Sequence, residues 1–220
     1  MNRPAVEYNL AASTLRRAQL NPERTALVFE EQQYTYGELG DRVRRQAALL
    51  RAQGVCVGDL VGYLGFNHPA LLETLFAAHT LGAIFVPLNF RLTGQELTFI
   101  INDAGIHTLI VDDALLPVIE PVRDELCCRN FYTSESEAPG WGHLSTARAE
   151  AEPLHSVVSV DQHDVAIIMY TSGTTGLPKG AMLTHGNIVW NNINASLAFG
   201  GSRDDVILTV APLFHIGGLN

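Results

Sequence analysis

At 220 residues, with 47% hydrophobic and 17% charged side chains, the chain has the composition of a core-forming globular protein, which excludes general disorder. Its 23 acidic residues outnumber 14 basic ones for a net charge of −9, and no basic stripe is present. That excludes a nucleic-acid partner, because phosphate neutralisation needs clustered Lys and Arg.

The start of the chain carries Glu7 and no apolar core, so no signal peptide is expected. Thr25 to Glu30 reads as a short strand and Glu31 to Gln33 as a polar turn. Thr35 opens a helix, with Glu38 completing a capping-box pattern and Leu39, Val43, Ala47 and Leu50 at helical spacing. Gly54 suits its C-terminal cap. Arg42, Arg44, Arg45 and Arg51 read as its solvated face. Asp59 to Phe66 is a strand, Asn67 an N-cap, and Pro69 the start of a helix that ends near Gly82. The apolar run from Leu71 to Leu88 is broken by Glu73, His79, Thr80, Gly82 and Pro87 and reads as a buried helix and strand, with no transmembrane segment.

Ala83 to Pro87 is the next strand, and Thr93 with Glu96 caps a helix reaching about Asp103. His107 to Val111 is a strand, followed by a helix over Ala114 to Leu126 with Leu115, Val118, Ile119 and Val122 on one face. This alternation predicts an α/β fold, doubly wound, with mainly parallel sheets flanked by helices. Three parts are expected: a first α/β subdomain over 1–133, an irregular connection rich in Ser, Glu, Ala and Pro over 134–162, and the start of a second subdomain over 163–220. In the last part Val165 to Tyr170 is a strand, Thr184 caps a helix beginning near Asn187, and Asp205 to Val210 is a final strand. Cys56 and the vicinal pair Cys127 and Cys128 show neither disulfide-framework nor metal spacing and point to a reducing, cytoplasmic setting.

The most informative stretch is Thr171-Ser172-Gly173-Thr174-Thr175-Gly176-Leu177-Pro178-Lys179-Gly180, directly after a buried strand. Gly173 and Gly176 allow backbone N–H groups to approach an anion, and the Thr and Ser hydroxyls add donors. Lys179 is the only lysine among 14 basic residues and supplies a mobile positive charge for phosphate oxygens. The string is not a Walker A loop, because Pro178 precedes the lysine and Gly180 follows it. A plain turn between two strands is the bland alternative, and the length of the string argues against it.

Tyr170 to Gly180 resembles the signature loop of the adenylate-forming superfamily, which contains acyl-CoA synthetases, aryl-CoA ligases, luciferases and peptide-synthetase adenylation domains. The resemblance covers nearly the whole chain: Tyr34 to Leu39, Gly54 to Val61, and Gly82-Ala83 with Pro87-Leu88-Asn89 match further elements. Leu213-Phe214-His215-Ile216-Gly217-Gly218 resembles the motif whose aromatic–His pair lines the acyl pocket, with a core histidine as the other reading of His215. The resemblance implies that a carboxylate attacks the α-phosphate of Mg-ATP and that coenzyme A then displaces AMP. It assigns Thr171, Ser172, Gly173, Thr174, Thr175, Gly176 and Lys179 to the phosphates, Thr171 also to the magnesium ion, and His215 with Gly217 to the acid.

Gly217 and Gly218 leave little bulk and favour a fatty acid over an aryl acid. An aryl- or other acid–CoA ligase, and a non-catalytic phosphate- or partner-binding module, stand as alternatives. A phosphotransferase is disfavoured by the failed Walker pattern. The family's adenine-binding segment, acidic metal ligand, ribose-binding Asp and adenylation lysine have no counterpart in these residues. The 220 residues alone are therefore expected to be inactive, with no residue of theirs taking a catalytic role. An exposed apolar face and self-association, such as a homodimer, are also expected.

Overall fold

The structure is a computed structural model and describes residues 8–171, 176–202 and 204–219. A helix α1 (Leu10–Leu20), capped by the Asn9 side chain, precedes every element read from the sequence. Strands β1 (Thr25–Phe29) and β2 (Gln32–Thr35) form an antiparallel hairpin whose turn at Glu30 and Glu31 puts Glu30 at φ +53°. Helix α2 (Tyr36–Ala52) starts on the reciprocal Thr35–Glu38 capping box. Then follow β3 (Leu60–Leu64), α3 (Pro69–Thr80), β4 (Ile84–Leu88), α4 (Gly94–Ala104) and β5 (Ile106–Val111). Beyond them lie α5 (Leu116–Ile119), β6 (Asn130–Thr133), β7 (Gly142–His143), α6 (Leu144–Glu150), β8 (Val165–Thr171), β9 (Lys179–Thr184), α7 (His185–Phe199) and the short α8 (Ile216–Leu219).

Seven strands make one sheet in the order β7-β6-β5-β3-β4-β8-β9. All neighbours are parallel except β8 and β9. The chain leaves β3 for β4 on one side and then crosses to β5 on the other, so both faces of the sheet are covered. Strand alternation sorts the side chains accordingly: β4 sends Phe85 into the cluster with Leu71 and Leu75 of α3, and Val86 and Leu88 into the cluster with Leu97, Ile100 and Ile101 of α4. Two-faced burial explains why these strands are near-continuous apolar runs.

Three helices meet around a buried carboxylate. Glu73 of α3 is fully buried and accepts from Arg42 of α2 on both carboxylate oxygens and from Arg148 of α6 on Oε2. Arg42 is therefore no part of a solvated face; its charge neutralises Glu73. A buried carboxylate is tolerated because it is paired on both oxygens.

Other departures have local causes. Asn67 does not cap α3: His68 does, its Nδ1 accepting the Ala70 N–H at 3.2 Å. The helix expected over Ala114 to Leu126 breaks into 3-10 turns on either side of α5. Pro117 and Pro121 each lack an N–H, so no continuous i to i−4 ladder can form there. The stretch 134–162 contains β7 and α6, the latter docked by the Arg148–Glu73 pair. The strand expected over Asp205 to Val210 is absent: these residues pair with no strand among the described residues, and Val206, Ile207, Leu208 and Val210 are at least 80% exposed. A strand exists only where a neighbour completes its hydrogen bonds. Lys179 and Gly180, expected as the end of the loop, instead open strand β9.

Candidate functional site

Parallel α/β sheets bind ligands at the carboxyl ends of their strands. Here the ends of neighbouring β4 and β8 open into a cleft of about 750 Å³. Pro87, Leu88 and Asn89 come from the end of β4, and Met169, Tyr170 and Thr171 from the end of β8. Helix α4 contributes Gln95, Glu96, Phe99 and Ile100, and the chain beyond α7 contributes Phe214, His215 and Ile216. Thr171, Gly176, Leu177 and Pro178 of the Gly/Thr string and the Phe214–His215 motif, more than thirty residues apart in sequence, thus face one space.

The loop is the tip of the β8–β9 hairpin, in which Tyr170 pairs with Gly180 and Thr171 with Lys179. Ser172, Gly173, Thr174 and Thr175 lie outside the described residues. Gly176, at φ +93° with open space around its Cα, adopts a conformation that side chains disfavour, and it lines the cleft with Leu177 and Pro178. At Gly180 a Cβ would sit 2.8 Å from Ile168 Cγ2 and 3.3 Å from the Tyr170 ring, so glycine lets β9 cross the phenol. Lys179 is exposed and sits just outside the cleft lining, on the same face of β9 as Ala181 and Leu183, which do line it. Thr171 is exposed at the opposite hairpin position.

Tyr170 anchors the hairpin. Its hydroxyl donates to Asp103 Oδ2 at 2.6 Å, tying β8 to the end of α4. Burial, the hydrogen bond and the Asp103 charge all hold the phenol above its usual range. Nothing local in the sequence marks Asp103 as a partner, because the contact spans 67 residues. The α4 side chains of the cleft were equally silent: only their capping box was readable.

His215 is exposed at the cleft and is not a core histidine. Its Nδ1 accepts the Gly217 N–H at 3.2 Å, which fixes the ring relative to its own turn. Gly217 itself lies outside the lining. Phe214 packs edge-on against Phe90 with centroids 5.1 Å apart, and the Arg91 guanidinium lies 5.9 Å from its ring centre. Among the described residues no group of three His, Cys, Asp or Glu could hold a metal ion, and no helix is long and apolar enough to cross a membrane.

The profile of AMP-binding enzymes matches residues 15–220. A feruloyl-CoA synthase of Amycolatopsis sp is 44% identical over 210 residues, covering 96% of this chain and 40% of that protein. An indoleacetate–CoA ligase of Aromatoleum aromaticum is 39% identical over 206 residues, covering 93% and 40%. Among solved structures, a long-chain-fatty-acid–CoA ligase from Archaeoglobus fulgidus superposes with a TM-score of 0.87 at 29% identity, over 96% of this chain and 44% of that one. The chain therefore spans about two fifths of the length of the curated relatives it matches. These relatives and structural neighbours are acid–CoA ligases, and the acids they name are diverse.

Proposed function

Because the chain belongs to the family of AMP-binding enzymes, we propose that a protein carrying it is an ATP-dependent acid–CoA ligase, with these residues supplying the phosphate grip and one wall of the acid site. The observation that carries this reading is the single cleft between the hairpin that bears Thr171 and Lys179 and the turn that bears Phe214 and His215. Carboxylates are poor electrophiles, so the acid is first activated. Its oxygen attacks the α-phosphate of ATP, the bond to the β-phosphate breaks, and acyl-AMP and pyrophosphate result. The thiolate of coenzyme A then attacks the acyl carbon and AMP leaves.

In this chemistry the protein positions groups and stabilises charge. Ser172, Gly173, Thr174, Thr175 and Gly176 hold the β- and γ-phosphates through N–H and hydroxyl groups. Lys179, with an ammonium free to swing over the hairpin, neutralises charge growing on the departing pyrophosphate. A magnesium ion keeps several waters and binds chiefly to nucleotide phosphates, so it would need little from this chain. The Thr171 hydroxyl, exposed at the hairpin rim, is the oxygen these residues offer it; the ion would neutralise phosphate charge.

The acid is hydrophobic, because Leu88, Leu92, Phe99, Ile100, Met169 and Phe214 dominate the cleft. A fatty acid is the first reading, in keeping with the long-chain-fatty-acid–CoA ligase among the solved structures. An aromatic acid is the second reading, favoured by the feruloyl- and indoleacetate-specific names of the 44% and 39% relatives. Thioester formation by a full-length protein, measured across medium-chain fatty, cinnamic and indolic acids, separates the two. The ligase reading itself fails if no acid yields an ATP-dependent CoA thioester.

A further inference from the structure

Asn67 stands at the carboxyl end of the central strand β3, where its own helix does not use it. Its side-chain Nδ2 donates to the Ala211 carbonyl at 2.9 Å, and its Oδ1 accepts the Leu213 N–H at 2.8 Å. Both ends of one amide thus grip two backbone groups two residues apart, across some 145 residues of chain. Only an amide side chain presents donor and acceptor side by side in this way.

What lies on either side of the grip gives it a purpose. Before it, Val206 to Val210 touch little, and Val206 is 92% exposed. After it, Leu213 is buried in the core beside α3, Phe214 meets Phe90, and His215 faces the cleft. Phe90 also stacks on Phe66, the residue preceding Asn67, with centroids 4.6 Å apart. The polar grip and the aromatic stack therefore flank the same turn. A slip of one residue would put His215 where Phe214 packs and Phe214 where Leu213 is buried.

We propose that Asn67 is a positioning residue: its bidentate hold on Ala211 and Leu213 sets which side chains of the Leu213-Phe214-His215 turn enter the core, the stack and the cleft. Its effect on acid binding rests on the ligase reading above; the hold itself does not.

Two measurements test it. In the 220-residue chain, Asn67→Ala should speed hydrogen exchange at the Leu213 amide about tenfold or more, the order expected for losing a made hydrogen bond. Amides of β5, far from the turn, should keep their protection and so report that the fold is intact. If Asn67→Ala does not fold, Asn67→Asp serves: it keeps an acceptor for the Leu213 N–H and loses the donor to Ala211, with a smaller acceleration expected. Unchanged Leu213 exchange in a folded variant overturns the proposal.

In a full-length ligase carrying the chain, Asn67→Ala should raise KM for the acid by about tenfold while KM for ATP moves less than about twofold. Equal shifts in both, or none, overturn the positioning role even if exchange accelerates. A wild-type protein with no acid-dependent activity would instead sink the ligase reading, and the exchange rate alone then decides the hold.

Discussion

Helices α3 and α7 are both rich in apolar residues, both begin at a capped N-terminus, and only one of them is buried. Of the twelve residues of α3, ten are buried; of the fifteen of α7, three are, all in its first turn. Trp190, Leu197 and Phe199 of α7 stand 55%, 79% and 88% exposed. Capping is local and works in both helices, through the His68 side chain in one and the Thr184–Asn187 box in the other. Burial is non-local: α3 lies between α2, α1 and the sheet, while α7 meets β9 and, through His185 and Ile188 of its first turn, the core beside α3, leaving Trp190, Leu197 and Phe199 uncovered among the described residues. An apolar pattern states what a helix would bury; it does not supply the partner.

The contrast predicts a gradient of mutational effects. Glu73→Ala should be the most damaging change, at about 3–5 kcal/mol in urea unfolding, because Arg42 and Arg148 are left without their counter-charge. Leu71→Ala, 1% exposed on α3, should cost about 2–5 kcal/mol. Equal losses for Leu71→Ala and Leu197→Ala would break the comparison.

Acid should weaken the α3 side specifically. His79 is fully buried against the His185 ring, with its Nε2 at 2.9 Å from the Ala166 carbonyl. Burial first, and the neighbouring histidine second, push its pKa down to about 3. The unfolded chain takes up that proton near pH 6.5 and the folded chain does not. Stability from this group is therefore complete above about pH 6.5 and falls, by at most roughly 1.4 kcal/mol per unit, as pH drops toward 3. His79→Leu should flatten unfolding free energy between pH 6.5 and 4; an unaltered slope would mean other groups carry it.

Smaller effects belong to the hairpin and to α7. Tyr170→Phe, losing the bond to Asp103, should cost about 1 kcal/mol, read from a shifted unfolding midpoint. Leu197→Glu should change stability by less than about 0.5 kcal/mol yet reduce hydrophobic-dye binding and self-association, since it charges an exposed apolar face.

Much of this was readable beforehand where the signal is local. The capping boxes at Thr35 and Thr93, the apolar strands, and the Gly/Thr string after β8 all sit within a few residues of what they determine. Three features were not. Glu73 looked like an interruption of an apolar run, because its arginines lie 31 and 75 residues away. Asn67 looked like a cap, because its backbone partners lie beyond α7. Residues 205–210 looked like a strand, because sequence pattern carries propensity and says nothing of the neighbour a strand requires. In the candidate site the Gly/Thr string was legible as a string, whereas the cleft that Thr171, Gly176, Leu177 and Pro178 share with α4 and Phe214 emerged only from the packing.

Lys179, exposed on the hairpin, is the residue proposed to act on the phosphates. Acid-dependent exchange of pyrophosphate into ATP, measured on a full-length protein carrying the chain and on its Lys179→Ala variant, tests it most directly. The expected result is a loss of about 10²-fold or more, the order seen when one preorganised charge-stabilising group is removed, with an unchanged unfolding midpoint. Exchange at the wild-type rate in a folded Lys179→Ala protein would contradict it.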